Sequence, residues 1–413
     1  RAVCRPHNCN VLERTMIGGT MKTTSLLALA AAASVLATSA SAADLGGNCC
    51  ADLEERIAEL EATTARKGNR KVSLEVSGWV HQGIMWFDGA AADNATTGQA
   101  KESNVYVVNR PESNSRFRFV GKAAISPKMN AGYLMEIQVN TANADNVTAN
   151  NDDSPANSLA VRHSAWWIEH KDFGKMWVGQ TSQATDGIME IQLSNTGHFA
   201  NSNTTAGGGL LAVNKAGGTN RSLFNFMGGS NTDTSQIGEG NRRNLVKYES
   251  PVFAGFSLAA ATGEDDFWDI ALRYAGEHHG FKLAFGIGYE RSTEGTNSGV
   301  GSERNCIVVA ASGDSKCEQF GLSGSVMHVA TGLFVNGFYG WRKDDNVTVA
   351  NQDDTSNRWG IMGGIEKNFF GMGKTTFFGE YVSWDIGATN TFKTAALAGA
   401  EMSMWGIGLN QNI

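Results

Sequence analysis

From Lys71 to the end, large apolar residues recur at every second position. Phe281, Leu283, Phe285, Ile287 and Tyr289 alternate with Lys282, Ala284, Gly286, Gly288 and Glu290, which puts every large apolar group on one face of an extended strand. The segment before it repeats the pattern: Trp268, Ile270, Leu272 and Tyr274 oppose Asp269, Ala271, Arg273 and Ala275, and a Gly276 to Gly280 hairpin joins the two. Fourteen such segments can be read: 72–87, 115–126, 132–140, 159–171, 175–181, 244–250, 256–263, 267–275, 281–290, 318–328, 333–342, 358–367, 374–384 and 401–410. Short turns at 127–131, 172–174, 251–255, 276–280, 329–332 and 368–373 alternate with mostly long polar loops. That asymmetry predicts a transmembrane antiparallel β-barrel, whose strands of about 9–11 residues cross a bilayer. A wall of this many strands encloses a lumen too wide for side chains to fill, so the apolar face must meet lipid and the small, charged face must meet water.

The alternation stops short of the N-terminus. The stretch from Met21 to Ala42 has a basic start, a short apolar core and an Ala40-Ser41-Ala42 exit, which reads as a secretory signal peptide. Residues 1–20, with Cys4, Pro6 and Cys9, are read as translated upstream sequence. Residues 43–70 form a linker and a short helical coiled-coil stem in which Leu53, Ile57 and Leu60 are spaced four then three apart, and residues 71–413 form the barrel. A helix this short is marginal alone, so the stem implies self-association; a solvated helix is the alternative.

Composition narrows the function. The chain has 41 acidic and 34 basic residues, 49 Gly and 37 aromatics, the latter being 20 Phe, 10 Trp and 7 Tyr. An acidic chain lacks the basic footprint of a nucleic-acid binder, and the aromatic content excludes disorder. Cleavage after Ala42 would remove Arg1, Arg5, Arg14, Lys22 and Glu13 and leave a net charge of about −10. Export to an oxidising compartment makes Cys306 and Cys317, eleven apart in one polar segment, a disulfide candidate, with two unpaired thiols as the alternative. The adjacent Cys49 and Cys50 are poorly placed to bridge each other.

Three stretches carry a family resemblance. They are Asp52-Leu53-Glu54-Glu55-Arg56-Ile57-Ala58-Glu59-Leu60-Glu61-Ala62 running on to Leu74, then Ser115-Arg116-Phe117-Arg118-Phe119-Val120-Gly121-Lys122, and the run from Asn244 through Pro251 to Phe256. Together with the signal peptide they resemble alphaproteobacterial general porins, from Met21 to the end. The resemblance implies a homotrimer of 16-stranded barrels in the Gram-negative outer membrane, passing small hydrophilic solutes and ions by diffusion and narrowed by an inward third loop. The loop's acids would face basic side chains on the wall. The longest unpaired stretch, between the fifth and sixth segments, is where that loop should lie, with 221–226 as a candidate extra strand. Fourteen segments are two short of sixteen and the chain ends at Ile413 without a terminal aromatic, so the last hairpin is read as missing; a complete fourteen-stranded barrel is the alternative.

Parity places Arg116, Arg118 and Lys122 on the wall, with Arg162 and Arg242 or Arg243 adding to it, while the resemblance makes Asp186 and Glu190 the acidic side of the constriction. Such a pairing would set a transverse field that sorts solutes. No cofactor is required. Acidic loop tips at 151–153, 264–266, 344–345 and 353–354 have the oxygen chemistry for loosely bound Ca²⁺ or for divalent ions bridging lipopolysaccharide, although ordinary solvated loops fit better. No metalloprotease, serine-hydrolase or phosphate-loop motif occurs, and His278-His279 reads as a solvated turn. His163 beside Ser164 is the single candidate for a barrel hydrolase. A substrate-specific channel and a barrel adhesin or structural protein are the competing functions.

Overall fold

The computed structural model describes residues 72–88, 103–109, 114–142, 158–196, 211–212, 221–222, 237–264, 266–293, 316–344, 354–387 and 400–413. All of these except Val72 and Ser73 belong to one compact unit. The signal peptide, Leu53, Ile57 and Leu60 of the stem, and Cys306 lie outside the described residues.

Fourteen strands form one sheet in sequence order: β1 (Val72–Trp79), β4 (Arg116–Ser126), β5 (Met129–Asn140), β6 (Ser158–His170), β7 (Gly174–Ser182), β10 (Arg242–Glu249), β11 (Phe256–Gly263), β12 (Trp268–His278), β13 (Phe281–Ser292), β14 (Cys317–His328), β15 (Leu333–Asp344), β16 (Thr355–Lys367), β17 (Thr375–Ile386) and β18 (Ala400–Gln411). Each answers one of the fourteen alternating segments, and the ladders are antiparallel with long, regular registers. The chain reverses between β12 and β13 through His279 and Gly280, both at positive φ, the geometry of the two-residue hairpin turn that matches strand twist. Wherever sequence-adjacent strands can be joined by so short a turn, pairing follows order, and this produces a meander rather than a crossover.

The first segment departs from its expected form. Residues 72–87 do not form one strand: after Trp79 the chain leaves the main sheet, and β2 (Gln82–Asp88) pairs only with β3 (Ser103–Asn109). The break is held at His81, whose backbone N–H donates to Ser115 Oγ at 3.0 Å. In the long stretch after β7, β8 (Leu211–Ala212) and β9 (Arg221–Ser222) form a two-residue ladder at the start of the expected extra strand, whose residues 223–226 lie outside the described ones.

The two faces of the main sheet differ as the alternation requires. Trp268, Ile270 and Leu272 on β12, Val335 and Tyr339 on β15, and Trp359 and Ile361 on β16 are exposed. Their alternating neighbours Asp269, Ala271, Asn336 and Arg358 are buried. A soluble protein would reverse this order. Burial of the inner face is completed by the segment that follows β7: Ile188, Ile191 and Ala184 pack on Leu245, Ala259, Ala271 and Ala284, while Met189 packs on Phe338, Val382 and Trp384.

Candidate functional site

Two irregularities in the ladders build the basic side. A two-residue turn between β4 and β5 would set Arg118 opposite Ile137, but a bulge at Ile125 shifts the register by one and places Arg118 opposite Glu136. On β6 the register against β5 slips between Glu136 and Ile137, leaving Arg162 as the extra residue. A bulge re-aims the side chain it carries, and consecutive Arg162 and His163 are both buried on the inner face.

These shifts converge on Glu136, which has no solvent exposure. Arg116 Nη1 lies 3.0 Å from Glu136 Oε1, Arg162 Nε 2.8 Å from the same oxygen, and Arg118 Nε 2.7 Å from Oε2. Arg118 Nη2 also contacts Oε2. Arg162 Nη1 donates to Gln138 Oε1 at 3.0 Å, and the Arg116 guanidinium stands 4.6 Å from the Trp79 ring. His163 lies 4.0 Å from Glu136, with its Nδ1 3.1 Å from Thr181 Oγ1. Arg242, from the start of β10, adds same-sign charge at Arg116 and Arg162. Three guanidiniums around one carboxylate leave a net positive patch in which every member is anchored. Arg118, at 30% side-chain exposure, is the member most open to solution.

The remaining basic candidates part company. Lys122 shares the face of Arg116 and Arg118 but stands four residues farther along β4 from Arg118, exposed. Arg243 turns its guanidinium over the Phe267 ring at 4.2 Å and donates to the Glu264 carbonyl at 3.4 Å.

A second element is the segment 183–196, held flat to the inner face by its own backbone. The N–H of Thr185 donates to Asp269 Oδ2 at 2.7 Å, that of Ile191 to Ser323 Oγ at 3.2 Å, that of Leu193 to Ser325 Oγ at 3.1 Å and that of Asn195 to Glu366 Oε2 at 2.8 Å. Wall side chains of β12, β14 and β16 thus satisfy a loop that would otherwise leave buried amides unpaired. A second stretch, 237–240, lies against β14 and β15, where Gly321 and Gly340 leave room for it. A Cβ at Gly321 would overlap the Gly238 carbonyl oxygen, and one at Gly340 the Ile237 oxygen.

Asp186 and Glu190 sit on this segment, half-buried, and a third acid joins them. Glu239 is buried, accepts the Met189 N–H at 2.8 Å and has its backbone oxygen bonded by Gln319 Nε2 at 2.8 Å. Burial holds its carboxyl well above the usual carboxylate range, and Glu190 and Asp186 push it further up. Arg273 on β12 donates to the Asp186 carbonyl at 2.8 Å, and Arg358 on β16 adds favourable charge near Glu239.

The sequence pattern singles out neither Glu136 nor Glu239. Glu136 is findable in part, as an acid at a wall-facing position of a short-turn hairpin, but the turn alone gives the wrong partner. Glu239 has no periodic context at all. The hydrolase candidate dissolves: His163 is buried on the inner face while Ser164 is exposed on the other. Cys317 is buried and disulfide-bonded. Among the described residues no group of three His, Cys, Asp or Glu side chains could hold a metal, and of the acidic tips Asp354 is ion-paired with Lys343 at 3.5 Å.

An antiparallel meander with an apolar outer face and a polar, loop-covered inner face defines a barrel protein that crosses its membrane by strands. The chain belongs to the Gram-negative porin family, whose model matches residues 27–413, and it is an outer-membrane channel protein rather than an enzyme. No curated protein sequence matches it significantly. Similar solved structures include Salmonella typhi OmpF in complex with daunomycin, 12% identical over 83% of this chain and 86% of that one, with a TM-score of 0.47. A loop L8 deletion mutant of OmpT, an outer membrane protein of Vibrio cholerae, is 13% identical over 82% and 87% of the respective chains, with a TM-score of 0.46. The anion-selective porin from Comamonas acidovorans is 14% identical over 82% and 98%, with a TM-score of 0.42.

Proposed function

We propose that the channel is a water-filled pore for passive diffusion of small hydrophilic solutes and ions, narrowed by the inward segment that begins at Gln183. The observation that carries this reading is the backbone anchoring of residues 185–195 to Asp269, Ser323, Ser325 and Glu366 on the inner wall. A loop fixed in this way reduces the cross-section without closing it and holds charge in place. The basic side is Arg116, Arg118 and Arg162 around Glu136, with Arg242 adjoining. The acidic side is Asp186 and Glu190, with Glu239 behind them. Fixed charges of opposite sign across a narrow aqueous passage orient dipolar solutes and sort ions. The heptad Leu53, Ile57 and Leu60 supports assembly as a homotrimer, and the acidic outer loops suit divalent ions that bridge lipopolysaccharide. Planar-bilayer recording of the refolded full-length protein tests the reading. Ohmic steps in multiples of three without saturation are expected; saturation by one solute would instead make it a substrate-specific channel, and a silent bilayer would leave an adhesin or structural barrel.

A further inference from the structure

One apolar face has no place in the lipid-facing wall. The ribbon of β2 and β3 sets Ile84 opposite Val107 and Trp86 opposite Val105, and all four are 59–81% exposed. Within the wall, Trp268, Ile270 and Leu272 are 40–42% exposed. On the ribbon's other face Tyr106 and Val108 are buried. The exposed stripe shares the parity of Leu74, Val76 and Val80, so it continues the outward face of β1. Among the described residues no third strand joins either edge of the ribbon.

The hydrocarbon layer does not reach this stripe. The base of the ribbon is tied to the long-loop end of β5. Gln82 Nε2 donates to Thr141 Oγ1 at 3.2 Å, the Asn109 N–H to the Ala142 carbonyl at 2.7 Å, and Asn109 Nδ2 to the Val139 carbonyl at 3.1 Å. The outward positions of β5 run from Met129 to Val139, a rise of roughly 33 Å along the strand and about 25 Å of height at the usual barrel tilt. That length fills the apolar band of an outer membrane. Ile84 and Trp86 stand two and four positions past Gln82, roughly 7 and 13 Å farther along the strand. They lie in the headgroup layer and the water above it, where an indole fits but a row of Ile and Val does not.

A cover for the stripe must be apolar, must sit at the same height and must approach from the side. A second copy of this chain meets all three conditions. Copies of one barrel share depth and orientation, and rotation about an axis normal to the membrane turns the same face of each toward that axis. Stripe then meets stripe, and none of the four residues carries a charge to repel its equivalent. At roughly 150–250 Å² per large side chain, these exposures leave on the order of 500 Å² on each copy. That is well over half of the ~800 Å² that a standard interface takes from one partner.

We propose that Ile84, Trp86, Val105 and Val107 form a contact between copies of this chain, in which the ribbons of neighbouring barrels pack on one another above the hydrocarbon. The contact rests on the proposed homotrimer and adds the surface that makes it at the long-loop end. The test places p-benzoylphenylalanine at position 86 of the full-length chain, co-expressed with a differently tagged wild-type copy, and irradiates intact outer membranes. An adduct of twice the chain mass carrying both tags is expected. In a heating series on gels, I84T/V105T/V107T, which keeps β-branching and removes the apolar contact, should pass from trimer to folded monomer at a lower temperature than the wild type. Trimers that give no two-tag adduct, or whose probe joins only lipopolysaccharide or another protein, overturn the contact and leave the trimer standing. An unchanged transition temperature in the triple variant does the same. A wild type that runs as a monomer before heating overturns the trimer reading itself, and the contact with it.

Discussion

Replacing Glu136 with Gln removes the one carboxylate shared by Arg116, Arg118 and Arg162 and keeps the side-chain volume. The patch gains one positive charge. At roughly 8 Å from a permeating ion in water that charge contributes ~0.5 kcal/mol, and screening at about 0.1 M salt lowers it to ~0.2 kcal/mol. Anions gain and cations lose by that amount, so the anion-to-cation permeability ratio should rise about twofold, read as the reversal potential in a salt gradient. The same change strips a buried carboxylate from its guanidinium partners, a loss of about 3–5 kcal/mol where no water compensates. The folded band on unheated gels should therefore convert to the unfolded one at lower temperature. A variant that folds, inserts and shows an unchanged or more cation-selective reversal potential would refute the placement of this cluster beside the ion path.

Three further outcomes follow from the same geometry. Arg118→Glu should shift selectivity toward cations more than Arg116→Glu, because Arg118 is the more exposed of the two, and equal shifts would show that both reach the lumen. Gly340→Ala places a Cβ against the Ile237 oxygen and should destabilise the inward segment by about 1–3 kcal/mol, seen as added open-channel noise; quiet traces would mean that the segment is not seated there. Glu239 keeps its proton beyond the usual carboxylate range, so its contribution to seating the segment is complete at low pH and lost as the pH rises through the raised value. The wild type should become more cation-selective over that rise and Glu239→Gln should not; identical pH profiles would exclude Glu239.

The strands and their two faces were legible because period-two alternation is a local property, written in each segment separately. All fourteen alternating segments have a strand in the main sheet, and all but the first, which leaves that sheet after Trp79, match its ends to within a few residues. The short ladder of β2 and β3 was not legible, since β2 continues the alternation of β1 without a break and only the departure after Trp79 separates them. Arg116, Arg118 and Arg162 were identifiable as wall cations, but their common partner was not. Bulges at Ile125 and Arg162 change the register by one residue each, and which residue of the neighbouring strand then stands opposite is not written in either strand's own alternation.

By itself, then, the sequence determined a membrane-crossing β protein, its strand order and which face meets lipid, because apolar alternation and turn length act over a few residues. The tertiary structure alone decided what lies on the inner face of the sheet. Glu136 meets three arginines, and residues 185–195 meet Asp269, Ser323, Ser325 and Glu366, across separations of roughly 20 to 170 positions. Contacts of that span depend on where many ladders bring the chain, and no local pattern carries that information.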